Sequence, residues 1–307
     1  MGKIAFVFSG QGAQYSGMGK SLYDMGGVAK KIYDEAESSR EGTLNQSFNG
    51  TDEELKMTVN TQPCIYLVEM SAAAMLNENG IYAQGTAGFS LGEIAALAYS
   101  KAYSIEEGFK IVTERGKVMQ EAADASGETS MCAILKLDAD TVTEAAKEFE
   151  NLYAVNYNCP GQTVVSGLSD SMDKFVKKVK EIGGRAVPLA VSAAFHSPYM
   201  DSAADKFAEA LNGFDIKTPE ISTYANYTAK PYDDNVIETL KNQMKSSVKW
   251  QETIENMIAD GYTDFIEVGP GKTLSGLIKK ISKEVNVYSV EDAKTLEETV
   301  QAVKNNA

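Results

Sequence analysis

Short apolar strands alternating with helical segments constrain this chain most, because three of the strands run into glycine-containing turns. The strand ending at Phe8 leads to Ser9-Gly10-Gln11-Gly12. A strand near 84–89 leads to Gly88-Phe89-Ser90-Leu91-Gly92-Glu93, and Asp264–Val268 leads to Gly269-Pro270-Gly271-Lys272-Thr273. Helical periodicity is expected around 27–39, from Thr61 to Asn79 with Thr61 capping and Pro63 in the first turn, and over 104–125. Further helices are expected at 234–245, near Trp250 and from Thr273, with a strand at 286–290 and a final helix. This alternation predicts a parallel sheet with helices on both faces. Such a sheet places its ligands at the carboxyl ends of its strands.

The rhythm changes after the small polar stretch Asp124–Ser130. Strands are expected at 131–137, 152–157, 162–167 and 185–191, and helices at 139–150 and 170–182. That is βαββαβ, a ferredoxin-like unit. The expected fold is therefore α/β, with a parallel-sheet core over 1–127 and 193–307 and an inserted ferredoxin-like subdomain over 128–192.

Of the 307 residues, 43% are hydrophobic and 23% charged, which suits a globular chain with a sizeable core. A net charge of −14 argues against a nucleic-acid surface or an anionic membrane as partner. Cys64, Cys132 and Cys159 are widely spaced and form no CxxC, so reduced thiols and a cytoplasmic location are expected. The apolar start is too short for a signal peptide, and no 18-residue apolar run is present. One histidine excludes a His-rich metal site, so no metal is expected. It also leaves His196 as the one obvious group for acid–base chemistry near neutral pH.

Gly88-Phe89-Ser90-Leu91-Gly92 fits G-x-S-x-G at a strand-to-helix turn, the setting that holds a serine clear of the backbone. The N–H after that serine points where an oxyanion would form, beside a helix N-terminus. The bland alternative is a tight turn with Ser90 as an ordinary N-cap. His196 lies in Ala193-Ala194-Phe195-His196-Ser197-Pro198, just before a helix, where a base would be positioned but not buried. A serine nucleophile needs a base, and this chain offers one imidazole. Arg115 lies mid-helix, as either a solvated charge beside Glu114 or a bidentate clamp on a carboxylate. Tyr15 breaks the dinucleotide fingerprint begun at Gly10, and Ile266 breaks the P-loop pattern ending at Lys272-Thr273.

Together these residues resemble the malonyl-CoA:acyl carrier protein transacylases and the acyltransferase domains of related synthases. The resemblance runs in order through Gly10–Gln14, Thr61-Gln62-Pro63, Gly88–Glu93, Arg115-Gly116, Asn156–Gln162, Ala194–Ser197 and Glu267–Lys272. It implies an α/β-hydrolase-like core with an inserted ferredoxin-like subdomain. It also implies Ser90 as nucleophile, His196 as base, and the N–H groups of Gln11 and Leu91 as an oxyanion hole. Arg115 would hold the malonyl carboxylate, and the Gln243 main-chain carbonyl would orient His196 in place of an aspartate. Gln62 and Asn158 match positions near the site, and Phe195 goes with malonyl rather than methylmalonyl. Two positions depart from the family, Phe89 where histidine is common and Ser9 where proline is common.

The implied reaction moves malonyl from malonyl-CoA to the phosphopantetheine thiol of acyl carrier protein, without a cofactor, in fatty acid or polyketide synthesis. A monomer is expected. An acidic carrier approaching an acidic enzyme needs local basic patches. Asp170–Arg185, with Lys177 and Lys178, carries five cations against three carboxylates, and Glu267–Glu284, with Lys279 and Lys280, carries four against two. The rival readings are a serine esterase or lipase, and a non-catalytic acyl-binding or carrier-docking module.

Overall fold

A computed structural model of the chain describes residues 2–189, 191 and 193–306. The strands are β1 (Lys3–Phe8), β2 (Gly85–Gly88), β3 (Thr129–Leu135), β4 (Leu152–Cys159), β5 (Gln162–Leu168), β6 (Arg185–Pro188), β7 (Ser222–Tyr224), β8 (Tyr262–Val268) and β9 (Asn286–Val290). Five of them form a parallel sheet in the order β7-β2-β1-β8-β9. β1 is central and buried on both faces, which is why it reads as a continuous apolar run rather than an alternation. β2 is Gly-Thr-Ala-Gly because its neighbours come very close. A Cβ at Gly88 would overlap the Gly92 carbonyl, and one at Gly92 would overlap the Phe8 and Ser9 carbonyls. Both motif glycines are thus required by close backbone approach at the turn between β2 and the Gly92–Tyr99 helix.

The other four strands form an antiparallel sheet in the order β4-β5-β3-β6, with helices Ala139–Lys147 and Ser169–Glu181 between strands. Cys132, Ile134 and Val165 pack beneath those helices against Val142, Phe175 and Val179. The alternate residues, Ala133 and Val164, face the other way, towards the large sheet, as a period of two dictates. The β4 edge is paired rather than open: Val248 N–H donates to Val155 O at 2.8 Å and Tyr157 N–H to Val248 O at 2.9 Å. That pairing joins the small sheet to the turn following the Val236–Lys245 helix.

Several expectations shift at the edges. The helix expected from Thr61 begins at Thr58, so Pro63 falls in its second turn. Thr61 does not cap it; its hydroxyl donates to Met57 O at 3.0 Å. The strand expected over 185–191 ends at Pro188, and Ala190 lies outside the described residues. β7 has no counterpart in the sequence reading, because a three-residue strand carries neither an apolar run nor an alternation. Among the described residues, no helix is long and apolar enough to cross a membrane.

Candidate active site

The β2–helix turn holds Ser90 at φ 55°, a left-handed conformation that costs a non-glycine residue strain and lifts its side chain out of the turn. Ser90 is not the N-cap of the helix that follows; Leu91 is. Asn226, just past β7, fixes the turn from below: its Oδ1 accepts the Ser90 N–H at 2.7 Å and its Nδ2 donates to Gly88 O at 2.6 Å.

His196 also has positive φ, 59°, and its Nε2 lies 2.7 Å from Ser90 Oγ. Its Nδ1 lies 3.0 Å from the Gln243 carbonyl, which can only accept, so Nδ1 carries the proton and Nε2 is free to accept from the serine hydroxyl. The expectation of an unburied base is corrected here. His196 is buried, only 4% exposed. Burial, with the nearby Arg115 cation, lowers its pKa to about 4, so it is neutral over the physiological range.

Arg115 is 1% exposed, which excludes the solvated-charge alternative. The neighbouring Glu114 faces Lys117 instead, at 3.9 Å. The guanidinium donates from Nη1 to Gln62 Oε1 at 2.7 Å, and from Nη2 to Gln243 Oε1 at 3.0 Å and Ser90 Oγ at 3.2 Å. Burial lowers its pKa to about 10, which leaves it positive at neutral pH. A fixed cation one hydrogen bond from a serine oxygen can pair with a carboxylate carried on that oxygen's acyl group. Gln62 is in turn held by Thr58, whose hydroxyl accepts from Gln62 Nε2 at 2.8 Å and donates to Gln11 Oε1 at 2.7 Å. One chain of bonds thus ties the guanidinium to the loop after β1.

Gln11 and Leu91 follow the carboxyl ends of adjacent strands β1 and β2, and Phe89 N–H donates to Phe8 O at 2.9 Å between them. Among the described residues, neither the Gln11 nor the Leu91 N–H donates to a protein acceptor. A cleft of about 240 Å³ opens beside the Gln11 loop, lined by Gln11, Phe89, Asn156, Asn158, Gln162 and Leu274, among others. Asn156 and Asn158 are buried there with Oδ1 unpartnered among the described residues. Phe195 is buried beside His196, its carbonyl accepting from Ser166 Oγ at 3.3 Å. Phe89 packs on Trp250 with ring centroids 5.5 Å apart, so the residue before the serine contributes apolar packing and no titratable group.

The two lysine pairs are not brought together. Lys280 donates to Gln162 Oε1 at 3.3 Å, at the rim of the cleft, and Lys279 is beside it in the last turn of the Thr273–Ile281 helix. Lys177 and Lys178 lie on the helix covering the opposite face of the small sheet, and Lys178 pairs with Glu148 at 3.0 Å. Of the two expected basic patches, the one with Lys177 and Lys178 therefore lies across the small sheet from the cleft.

Sequence reasoning missed three contributors. Asn226 carries no motif, and its role depends on β7 lying beside β2. The Gln243 side chain donates to Ser90 O at 2.8 Å while accepting from Arg115. Glu93, the residue after the second motif glycine, is fully buried, with Asn226 N–H 2.9 Å and Gln243 Nε2 3.3 Å from its Oε2 and Tyr232 Oη against its Oε1.

A strained serine on a strand-to-helix turn, with a buried imidazole 2.7 Å from its hydroxyl, is an arrangement able to carry an acyl group on serine. Residues 5–304 match the acyl transferase domain family, and the chain belongs to it. It is 41% identical to the malonyl CoA-acyl carrier protein transacylase of Bacillus subtilis, over 99% of this chain and 98% of that protein. It is 36% identical to that of Synechocystis, over 94% and 97%. Among solved structures, the malonyl CoA-acyl carrier protein transacylase of Clostridium perfringens superposes with a TM-score of 0.94 at 39% identity, covering 99% of this chain and 98% of that one. A malonyl-transacylase in complex with a type II PKS acyl-carrier protein superposes at 0.93 and 31% identity, covering 98% and 99%.

Proposed function

We propose that this enzyme transfers malonyl from malonyl-CoA to the phosphopantetheine thiol of acyl carrier protein through a malonyl–Ser90 ester. The observation that carries the reading is the buried Arg115 guanidinium 3.2 Å from Ser90 Oγ, a fixed cation at the site of acyl attachment. His196 Nε2 takes the Ser90 proton as Oγ attacks the thioester carbonyl. The N–H groups of Gln11 and Leu91 receive the developing oxyanion. The tetrahedral intermediate collapses, the C–S bond breaks, and His196 returns the proton to the departing CoA thiolate. The carrier thiol then attacks the ester with His196 accepting its proton, and Ser90 leaves with it. Thioester is exchanged for thioester, so the reaction is reversible and ping-pong.

The Gln243 carbonyl serves the histidine as an aspartate would, fixing its tautomer without adding a buried charge. Gln62 holds Arg115, Asn158 offers an acceptor in the cleft, and Phe195 bounds the acyl site. No cofactor is called for, since CoA and phosphopantetheine carry the substrate. Residues 128–192 form an inserted unit that closes the cleft over the core of 1–127 and 193–307, and the chain acts as a cytoplasmic monomer. The hydrolase alternative is not favoured. Esterases of this elbow type place their histidine near the C-terminus with a carboxylate partner, whereas here a carbonyl faces His196.

With malonyl-CoA and no acceptor, CoA release is expected to stop after about one equivalent per enzyme and to resume on adding holo acyl carrier protein. Continuous release without acceptor would instead indicate a hydrolase.

The carrier reaches the cleft past Lys279 and Lys280. Reversing both charges should raise the carrier's KM by roughly several-fold at low salt and leave that of malonyl-CoA unchanged. The same change at Lys177 and Lys178 should do little. Steady-state kinetics at two ionic strengths checks this, and unchanged carrier kinetics would remove these lysines from the docking surface.

A further inference from the structure

Glu93 is a fully buried carboxylate that the transfer chemistry does not use. Its two oxygens have different surroundings. Oε2 accepts from two groups whose protons cannot be withdrawn, the Asn226 N–H and Gln243 Nε2. Oε1 faces a hydroxyl that can turn round, Tyr232 Oη. Through the Gln243 amide, this carboxylate is linked to the buried guanidinium: Arg115 Nη2 donates to Gln243 Oε1, and Gln243 Nε2 donates to Glu93 Oε2. The free site therefore holds one cation and one anion bridged by a single amide, with a net charge near zero. Bringing in a malonyl carboxylate adds a second anion to this low-dielectric space, where like charges exclude each other's ionised forms.

We propose that Glu93 takes up a proton when a malonyl carboxylate pairs with Arg115, so that the charge of the buried site is conserved on loading. The inference rests on the malonyl reading above. The proton comes from solvent and resides on Oε1, with the Tyr232 hydroxyl rotating from donor to acceptor. Oε2 keeps both of its donors, so Asn226, Gln243, and through them Ser90 and His196, stay in place. Glu93 is thus a positioning residue with a protonation switch on its far side. Burial already raises its pKa to about 7, opposed by its hydrogen bonds and by Arg115, so little further bias is needed near neutral pH.

The groups that face Glu93 from neighbouring elements are Arg115 and Tyr103 from the Ile105–Ala125 helix and the loop before it, and Tyr232. On the Thr58–Glu78 helix the buried Glu69 lies instead against Gly269 and Ser9. Lys3 of β1 sits at the other end of the sheet, bonded to Asp260 O. His196 does not face Glu93 and is reached through Gln243, or through Asn226 and Ser90.

Titration calorimetry of malonyl-CoA into the Ser90→Ala chain, in buffers of different ionisation enthalpy, reads the proton uptake directly. Near pH 7.5, malonyl-CoA should take up on the order of a few tenths of a proton per site more than acetyl-CoA, which carries the same CoA without the carboxylate. The excess should peak around neutrality and vanish by pH 5, where Glu93 is already protonated. In the Ser90→Ala/Glu93→Gln chain the amide oxygen replaces Oε2 and the amide nitrogen donates to Tyr232, a replica of the protonated state. Its excess should be zero. An excess that survives Glu93→Gln, that peaks near the His196 midpoint of about 4, or that is absent while malonyl-CoA binds, overturns the proposal. If malonyl-CoA neither binds this chain nor labels the unmodified enzyme, the functional reading fails and takes the proposal with it.

Discussion

Replacing His196 by alanine should slow malonyl transfer by roughly 100- to 10,000-fold, the range general-base catalysis contributes. The chain contains one histidine, so no second imidazole can substitute. Both half-reactions should fall together, because each moves one proton through Nε2. The unmodified enzyme supplies the matching pH test at saturating malonyl-CoA. A base whose pKa is lowered stays neutral, and competent, until the pH falls to its folded value. Burial and Arg115 place that value near 4, so the rate should hold across mildly acidic pH and then decline through one group. A midpoint at or above about 6.5 would mean that the imidazole is solvated in the working enzyme. Stopped-flow release of CoA, with circular dichroism to verify folding, measures both effects.

Arg115→Ala should invert the acyl preference. Removing one partner of a buried charge pair costs about 2–5 kcal/mol, which corresponds to a fall in kcat/KM for malonyl-CoA of roughly 30-fold to several thousand-fold. Acetyl-CoA presents no carboxylate, so it gains no charge pairing from the guanidinium and loses less when the guanidinium is removed. Its relative rate should therefore rise. The substitution also strands Gln62 Oε1 and Gln243 Oε1, so some loss with both substrates is expected. Arg115→Lys separates the effects: it keeps the charge and loses the fork, and should recover part of the malonyl preference. Competition between labelled malonyl-CoA and acetyl-CoA gives the ratio directly. Equal losses would make Arg115 a structural residue.

What was legible in the sequence followed from short-range chemistry. The Ser90 turn announces itself because two glycines are forced by backbone contacts that no other residue survives. His196 stood out by count, and the strand–helix alternation by hydrophobic period. What was hidden depends on distant segments meeting. Burial of His196 and Arg115 cannot be read locally, since the Arg115 helix turn looks amphipathic and its ligands Gln62, Ser90 and Gln243 come from three other elements. Asn226 is invisible until β7 is placed beside β2. Glu93 is an acidic residue in a first helical turn, where the dipole favours it, and nothing local shows that it points inward to three donors. The lysine pairs illustrate the same limit: both segments are basic, yet a β-sheet stands between them.

The proposed transfer requires malonyl to ride on Ser90. Brief incubation with radiolabelled malonyl-CoA, acid quench and peptide mapping tests it most directly. Close to one equivalent of label is expected on the peptide containing Ser90, lost on adding holo acyl carrier protein and absent from Ser90→Ala. A folded enzyme that transfers malonyl without acquiring label, or that is labelled at another residue, would contradict it.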